Sequence, residues 1–469
     1  MTLTRGLLTS LSALALAACA VGPDYVAASP PVASSGPFLS AVEPAVALAP
    51  VPENWWRLYD DPVLDGLVAD ALASNIDVRV ALANIERARA GLRGSRAGRL
   101  PQTTVGAGAS YGRLPESQRQ PGASAEDWTF DGAVEVGYEL DLFGRVGRDI
   151  EAARGDLAAA EADADAVRVI VVADTTRAYA DAASGAARLK VAQRVVDLLD
   201  RSLALTQRRR DAGLATGLDV AQIATLREQR AAQIPLIQAE RQAALFRLAT
   251  LTGRAPAELP AIAAERAVTL EIVSAIPVGD GAQLLARRPD VRAAERRLAA
   301  STARIGVATA DLYPRITLGG SAGSTASALG DLFTGGPISW LLGSLLSWGF
   351  PNQEPARARI AGAEAETQAR LAEFDGAVLS ALEETETALS GYARSLERRQ
   401  ALQSARDQAA RAAEITSAQQ REGAIDSLRL LDVQRTYTET EGALAEQDAE
   451  VSRRQIDLFR TLAGGWSTS

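Results

Sequence analysis

Three places in the chain carry residues with chemistry to offer, and none of them reads as catalytic. The first is Cys19, the only cysteine. It closes the run Leu16-Ala17-Ala18-Cys19, after Arg5 and an apolar stretch over residues 7–18. That stretch is a secretory signal, too short to stay as a spanning helix, and the tetrapeptide resembles a bacterial lipobox. Once residues 1–18 are removed, the Cys19 thiol is expected to carry acyl chains that anchor the N-terminus to a leaflet. The second place is a row of carboxylates, Asp131, Glu135, Glu139 and Asp141. Their odd-numbered spacing puts them on one face of an extended segment. There they face water, or give a polar lumen a preference for cations. The third is Asp432 with Arg435, an i,i+3 pair on a helix. On a wet face such a pair contributes only about 0.3 kcal/mol.

What is missing narrows the function. The chain has no histidine, so the commonest general base and metal ligand is absent. No phosphate-binding glycine loop, metal-ligand cluster or free thiol beyond Cys19 is present, so neither an enzyme nor a cofactor site is expected. A net charge of −9 argues against a nucleic-acid partner. With one cysteine, the exported chain can form no internal disulfide.

The elements that must position these residues come in two copies. Asn75-Ile76-Asp77-Val78-Arg79 matches Arg288-Pro289-Asp290-Val291-Arg292, 213 positions later. At the same offset Pro101 falls on Pro314 and Gly106 on Gly319, with no gap. A repeat this long is a structural unit rather than a surface motif. The predicted layout is a tether over residues 19–52, a first repeat over 53–252, a connector over 253–280 and a second repeat over 281–469.

Within each repeat the period changes. Proline-free, alanine-rich stretches with apolar residues three and four apart predict long helices over about 150–212 and 356–421, coiled-coil-like in pattern. Helices of about 90 to 100 Å imply an elongated body. Each stops at a glycine, Gly213 or Gly423, suited to a left-handed cap. Thr216 and Asp426 then start return helices over about 218–250 and 428–462. Opening helices are expected over about 62–97 and 281–311. Between opening and long helices the alternation is that of strands, giving hairpins over about 103–142 and 315–350. Trp128, Phe130, Val134, Val136, Tyr138, Leu140 and Leu142 share one face and the acidic residues the other. Ile338, Trp340, Leu342, Leu346, Trp348 and Phe350 are likewise expected on one face.

Strands longer than ten residues, apolar on one side, suit a membrane β-barrel. In hydrocarbon every backbone amide must be paired, so the sheet must close. Four strands cannot close alone, whereas three chains give twelve, enough for an open lumen. The fold class expected is mainly α with a membrane β-barrel: a two-repeat protomer of helical hairpins and β-hairpins, assembled as a trimer.

The chain resembles the TolC-like outer-membrane efflux factors, in the acylated branch. The markers are the lipobox followed by Val21-Gly22-Pro23-Asp24-Tyr25, then Trp55-Trp56 ahead of Leu58-Tyr59-Asp60-Asp61-Pro62. Further markers are Tyr138-Glu139-Leu140-Asp141-Leu142-Phe143-Gly144-Arg145, Arg287-Arg288-Pro289-Asp290-Val291-Arg292 and Leu312-Tyr313-Pro314. The resemblance implies a homotrimer, outer-membrane lipid around its barrel, a periplasmic adaptor (membrane fusion) protein and an inner-membrane pump of the RND type. It implies a passive duct for drugs or other small toxic compounds. By the match of residues 423–435, Leu428 and Asp432 line a periplasmic constriction that Arg435 holds. Arg429 stands where some relatives carry a second aspartate. The glycine tips, Gly213-Leu214 and Gly423-Ala424, are candidate adaptor contacts, and helix termination is their simpler role. A lipid-tethered coiled-coil scaffold is the alternative, but it has no use for four amphipathic strands. The duct of a metal-efflux or type I secretion system also fits the pattern.

Overall fold

The computed structural model describes residues 20–28, 35–41, 45–113, 115–119, 124–334 and 338–464. In chain order the principal elements begin with β1 (Val46–Ala47), α1 (Pro62–Ser74), α2 (Ile76–Ala97), β2 (Gln102–Arg113) and β3 (Glu126–Leu140). Next come α3 (Arg145–Asp211), α4 (Gly217–Ala231), α5 (Gln233–Leu251), β4 (Ile276–Pro277), α6 (Gly281–Arg287) and α7 (Pro289–Ala310). The chain continues through β5 (Arg315–Ala326), β6 (Ile338–Ser347), α8 (Glu354–Arg421) and α9 (Ser427–Thr461). These elements form two compact units. Of the described residues, the first joins those within 20–28, 84–160 and 293–374, and the second those within 35–83, 161–292 and 375–464.

The first unit holds one antiparallel sheet in the order β2-β3-β5-β6. Its register decides which side chains share a face, because paired residues point the same way. Val105 pairs Val134, Val134 pairs Ala322, and Ala322 pairs Trp340. The same face carries Tyr111, Trp128, Phe130, Val136, Leu318 and Leu342. The opposite face is Thr, Ser, Gly and carboxylate over most of its width, as in Thr104 beside Glu135 beside Ser321. Leu341 and Leu345 on β6 interrupt that polar face. The apolar face is bare: Val105, Trp340 and Leu342 are 74%, 78% and 79% exposed. A sheet that turns its greasy side outward needs a non-aqueous neighbour.

The second unit is helical around one core. Trp55 stacks on Phe459 with ring centroids 4.7 Å apart, and both are fully buried. Asp61 starts α1 there: its Oδ1 accepts from the Val63 and Leu64 amides at 2.9 and 3.3 Å. Its Oδ2 accepts from the Tyr179 hydroxyl at 2.9 Å and pairs with Arg266 at 2.8 Å. Burial and the neighbouring carboxylate push the Tyr179 pKa above its ordinary value, so the hydroxyl stays a donor.

The two repeats handle one problem with different residues. Asn75 leaves the helix in an extended conformation; its Oδ1 caps α2 through the Asp77 amide at 2.8 Å, and its Nδ2 donates to the Leu251 carbonyl at 2.9 Å. Arg288, its counterpart, donates to the Thr461 carbonyl at 3.2 Å and pairs with Asp290 and Glu384. Leu251 and Thr461 end the two return helices, so an amide and a guanidinium perform the same tie.

Four sequence expectations change. The opening helix over 62–97 is two helices, α1 and α2, broken at Asn75. The one over 281–311 breaks at Arg288, where Pro289 forces its predecessor out of helical backbone. The first return helix breaks at Ala232, because Pro235 supplies no amide to bond the Ala231 carbonyl. The supposed tether is pinned at several points. Residues 46–47 pair with β4, the Leu39 and Ser40 amides donate to Glu386 at 2.7 and 2.8 Å, and Phe38 is buried. Composition could not reveal partners that lie hundreds of residues away.

Candidate functional site

Both long helices end alike. Gly213 and Gly423 take φ of +72° and +74°, where a side chain is strained. Leu214 N–H donates to the Arg209 carbonyl at 2.7 Å and Ala424 N–H to the Gln419 carbonyl at 2.9 Å. These bonds satisfy carbonyls that a helix end leaves open. Thr216 and Asp219 then form a reciprocal cap on α4, and Asp426 accepts from the Arg429 amide at 2.9 Å to start α9. Each helical hairpin turns in a handful of residues and leaves an apolar side chain in water. Leu214 is 68% exposed and Leu428 is 56%.

Beside these turns α4 and α9 enclose an open groove of about 470 Å³, lined by Leu218, Ala221, Thr225, Leu428, Asp432 and Arg435. The three residues expected at a constriction thus share one groove. Asp432 and Arg435 pair at 3.3 Å with both side chains largely exposed. Sequence reasoning missed what lies beneath them. Gln434 is buried and donates to Ser202 Oγ at 2.7 Å, and Arg209 donates to the Gln420 carbonyl at 2.9 Å. Leu430, Gln434 and Thr438 are all buried at a spacing of four. The stripe was present in the sequence, but two of its three members are polar.

On the sheet, the four acidic residues divide. Asp131 lies over Gly108, where an added Cβ would come 2.8 Å from its Oδ1. Glu135 sits between Thr104 and Ser321 on the polar face. Glu139 is tied by two bonds to Arg145, at 2.8 and 2.7 Å. Asp141 lies beyond the strand and accepts from the Val146 and Gly147 amides at 2.9 and 2.7 Å, starting α3. Two of the four therefore build the foot of the sheet, the end from which α3 begins. Trp348 and Phe350 also lie beyond their strand. They stack at 4.8 Å, and Trp348 Nε1 donates to the Leu312 carbonyl at 3.0 Å. Phe143 and Tyr313 stack at 4.7 Å in the same region. Cys19 falls outside the described residues; Ala20, after it, touches Gly144 at this foot.

No described helix is long and apolar enough to cross a membrane. The chain matches the model of the family described as outer membrane efflux protein over residues 67–254 and 281–464. It is 32% identical over 463 residues to outer membrane protein OprJ of Pseudomonas aeruginosa, covering 98% of this chain and 96% of OprJ. It is 29% identical over 471 residues to the antibiotic efflux pump outer membrane protein ArpC of Pseudomonas putida, with 99% and 96% coverage. Among solved structures, the outer-membrane channel OprN superposes with a TM-score of 0.87 at 36% identity, covering 96% of this chain and all of that one. The open state of the Neisseria gonorrhoeae MtrE channel superposes with a TM-score of 0.81 at 27% identity, with 95% and 98% coverage. Two helical hairpins, a sheet with one bare apolar face, and likeness along nearly the whole chain place this protein in the outer membrane efflux protein family, as an efflux channel of the outer membrane.

Proposed function

We propose that three copies of the chain close one twelve-stranded barrel in the outer membrane, and that their long helices line the periplasmic part of a passive duct. The observation that carries this reading is the sheet. Its apolar face is uncovered in one chain, and among the described residues β2 and β6 have one strand neighbour each. Open edges are not tolerated in hydrocarbon. Antiparallel order with an even strand count lets β6 of one copy meet β2 of the next without breaking the alternation. The polar face then lines the lumen, with Asp131 and Glu135 exposed to passing solutes.

In the helical unit, three copies of Leu428 make an apolar collar and three of Asp432 a carboxylate ring one turn away, held by Arg435. Rings of this kind block a narrow pore and set its charge preference. The turns at Gly213-Leu214 and Gly423-Ala424 present apolar surface for an adaptor's helical hairpin. The adaptor connects the duct to an inner-membrane pump of the RND type. The names of the relatives, an antibiotic efflux protein and a toluene efflux protein among them, support small toxic or apolar compounds as cargo. Acylation of Cys19 adds a lipid anchor. Detergent-purified protein reconstituted in planar bilayers tests the core of this reading: a heat-stable trimer with ion conductance is expected, and a non-conducting single chain refutes it.

A further inference from the structure

The run Val21-Gly22-Pro23-Asp24-Tyr25 plays no part in the duct, yet the first unit holds it almost residue by residue. Val21 N–H donates to the Phe143 carbonyl at 3.2 Å. The Arg148 side chain, 7% exposed, donates to the Val21 carbonyl at 3.3 Å, the Gly22 carbonyl at 3.4 Å and Asp24 Oδ1 at 2.6 Å. The Tyr25 hydroxyl donates to Glu295 Oε1 at 2.6 Å; burial, then Glu295, push its pKa up to about 12. Backbone approach is equally close. Gly22 has φ of +89°, and a Cβ there would stand 2.5 Å from Gly306 Cα. A Cβ on Gly144 would stand 2.9 Å from Ala20 Cα, and one on Gly306 would stand 2.8 Å from the Arg148 side chain. Glycines 144 and 306 thus leave a groove one backbone wide, and a buried guanidinium reads two carbonyls and one carboxylate of its occupant.

We propose that this groove is a peptide-binding site whose ligand is the chain's own segment 20–25, and that it fixes the membrane anchor at the foot of the sheet. The contacts define the ligand: an extended segment with glycine where the backbone crosses Gly306 and an acid two residues on. Arg148 also keeps Glu151 as a partner at 2.9 Å, so the body retains a paired guanidinium when the segment is altered. Cys19 directly precedes Ala20, and one residue spans at most about 3.6 Å. The anchor's point of attachment is thereby one residue from Ala20, which packs against Gly144. The position of the anchor rests on the acylation proposed above; the docking does not.

The test uses the full chain behind an ordinary cleavable leader with Cys19→Ala, so that no acyl chain can hold the segment in a detergent micelle. A site-specific protease sequence is inserted after Ala28 and cut after purification. The released peptide is expected to stay with the body through gel filtration. Asp24→Ala is expected to lower the retained fraction about tenfold, the scale of one lost charge-assisted bond, and Gly22→Ala is expected to lower it at least as far, because its methyl would meet Gly306 Cα in a left-handed backbone. Both changes lie in the segment itself, so the body freed of its peptide should unfold at the same temperature whichever variant it came from. A wild-type peptide that washes off, or variants that stay as firmly as wild type, overturns the site. In parallel, the peptide cut from the acylated protein is weighed by mass spectrometry. An unmodified mass refutes the anchor and leaves the docking to be decided by the first experiment.

Discussion

Asp61 shows how much a single side chain can carry. It caps α1, accepts the Tyr179 hydroxyl and neutralises Arg266, all in a buried position. Asp61→Ala removes the cap and leaves the buried Tyr179 hydroxyl and the half-buried Arg266 guanidinium without their acceptor. We expect a loss of about 3 kcal/mol, read as a lower denaturation midpoint. Asp61→Asn, which can still cap, should lose less. Ala463 offers the opposite case. It takes φ of +51° at the turn after α9, where Gly253 takes +68° at the turn after α5. Ala463→Gly relieves that strain at some entropic cost and should raise the midpoint by about 0.5 kcal/mol. Asp432→Ala should raise single-channel conductance in planar bilayers, because it removes charge and bulk from the proposed ring. Unchanged conductance in a folded trimer takes Asp432 out of the gate. The sequence placed Asp432 and Arg435 on one helix face, as they are. It did not reveal the buried amide of Gln434 beneath them, because a glutamine between charged residues carries no mark of burial.

Strands were the most legible elements. An apolar face and a polar face impose a period of two on β3, a pattern that no helix shares. The register permits a sharp test. Ala322 and Ser321 are adjacent but point to opposite faces. Ala322→Arg puts a charge on the apolar face and should cost about 2 to 4 kcal/mol per chain. Heat-stable trimer in outer-membrane fractions should fall accordingly. Ser321→Arg, on the polar face, should leave trimer yield near wild type while changing conductance. Helix boundaries were harder. The caps at Gly213 and Gly423 are local chemistry and stood in the sequence. The break at Asn75 is not local, since its side chain is held by the end of α5. Pro235 was visible as the end of a proline-free stretch, but its effect on the return helix went unread.

For the whole molecule, an efflux duct predicts that deleting the gene while leaving its pump intact sensitises cells to antibiotics and solvents. A copy carrying Ala322→Arg should fail to restore resistance, whereas Asp61→Asn should restore it at permissive temperature. The sheet also carries a hazard. Among the described residues each copy leaves two strand edges, β2 and β6, and the head-to-tail joint proposed between them has no built-in stopping number. Closure at three depends on curl: strands that bend enough meet their own beginning, and strands that bend too little keep recruiting. Outside the bilayer, an unassembled chain is therefore the repeating unit of a potential ribbon, so the cell must deliver it to the membrane faster than it meets its siblings.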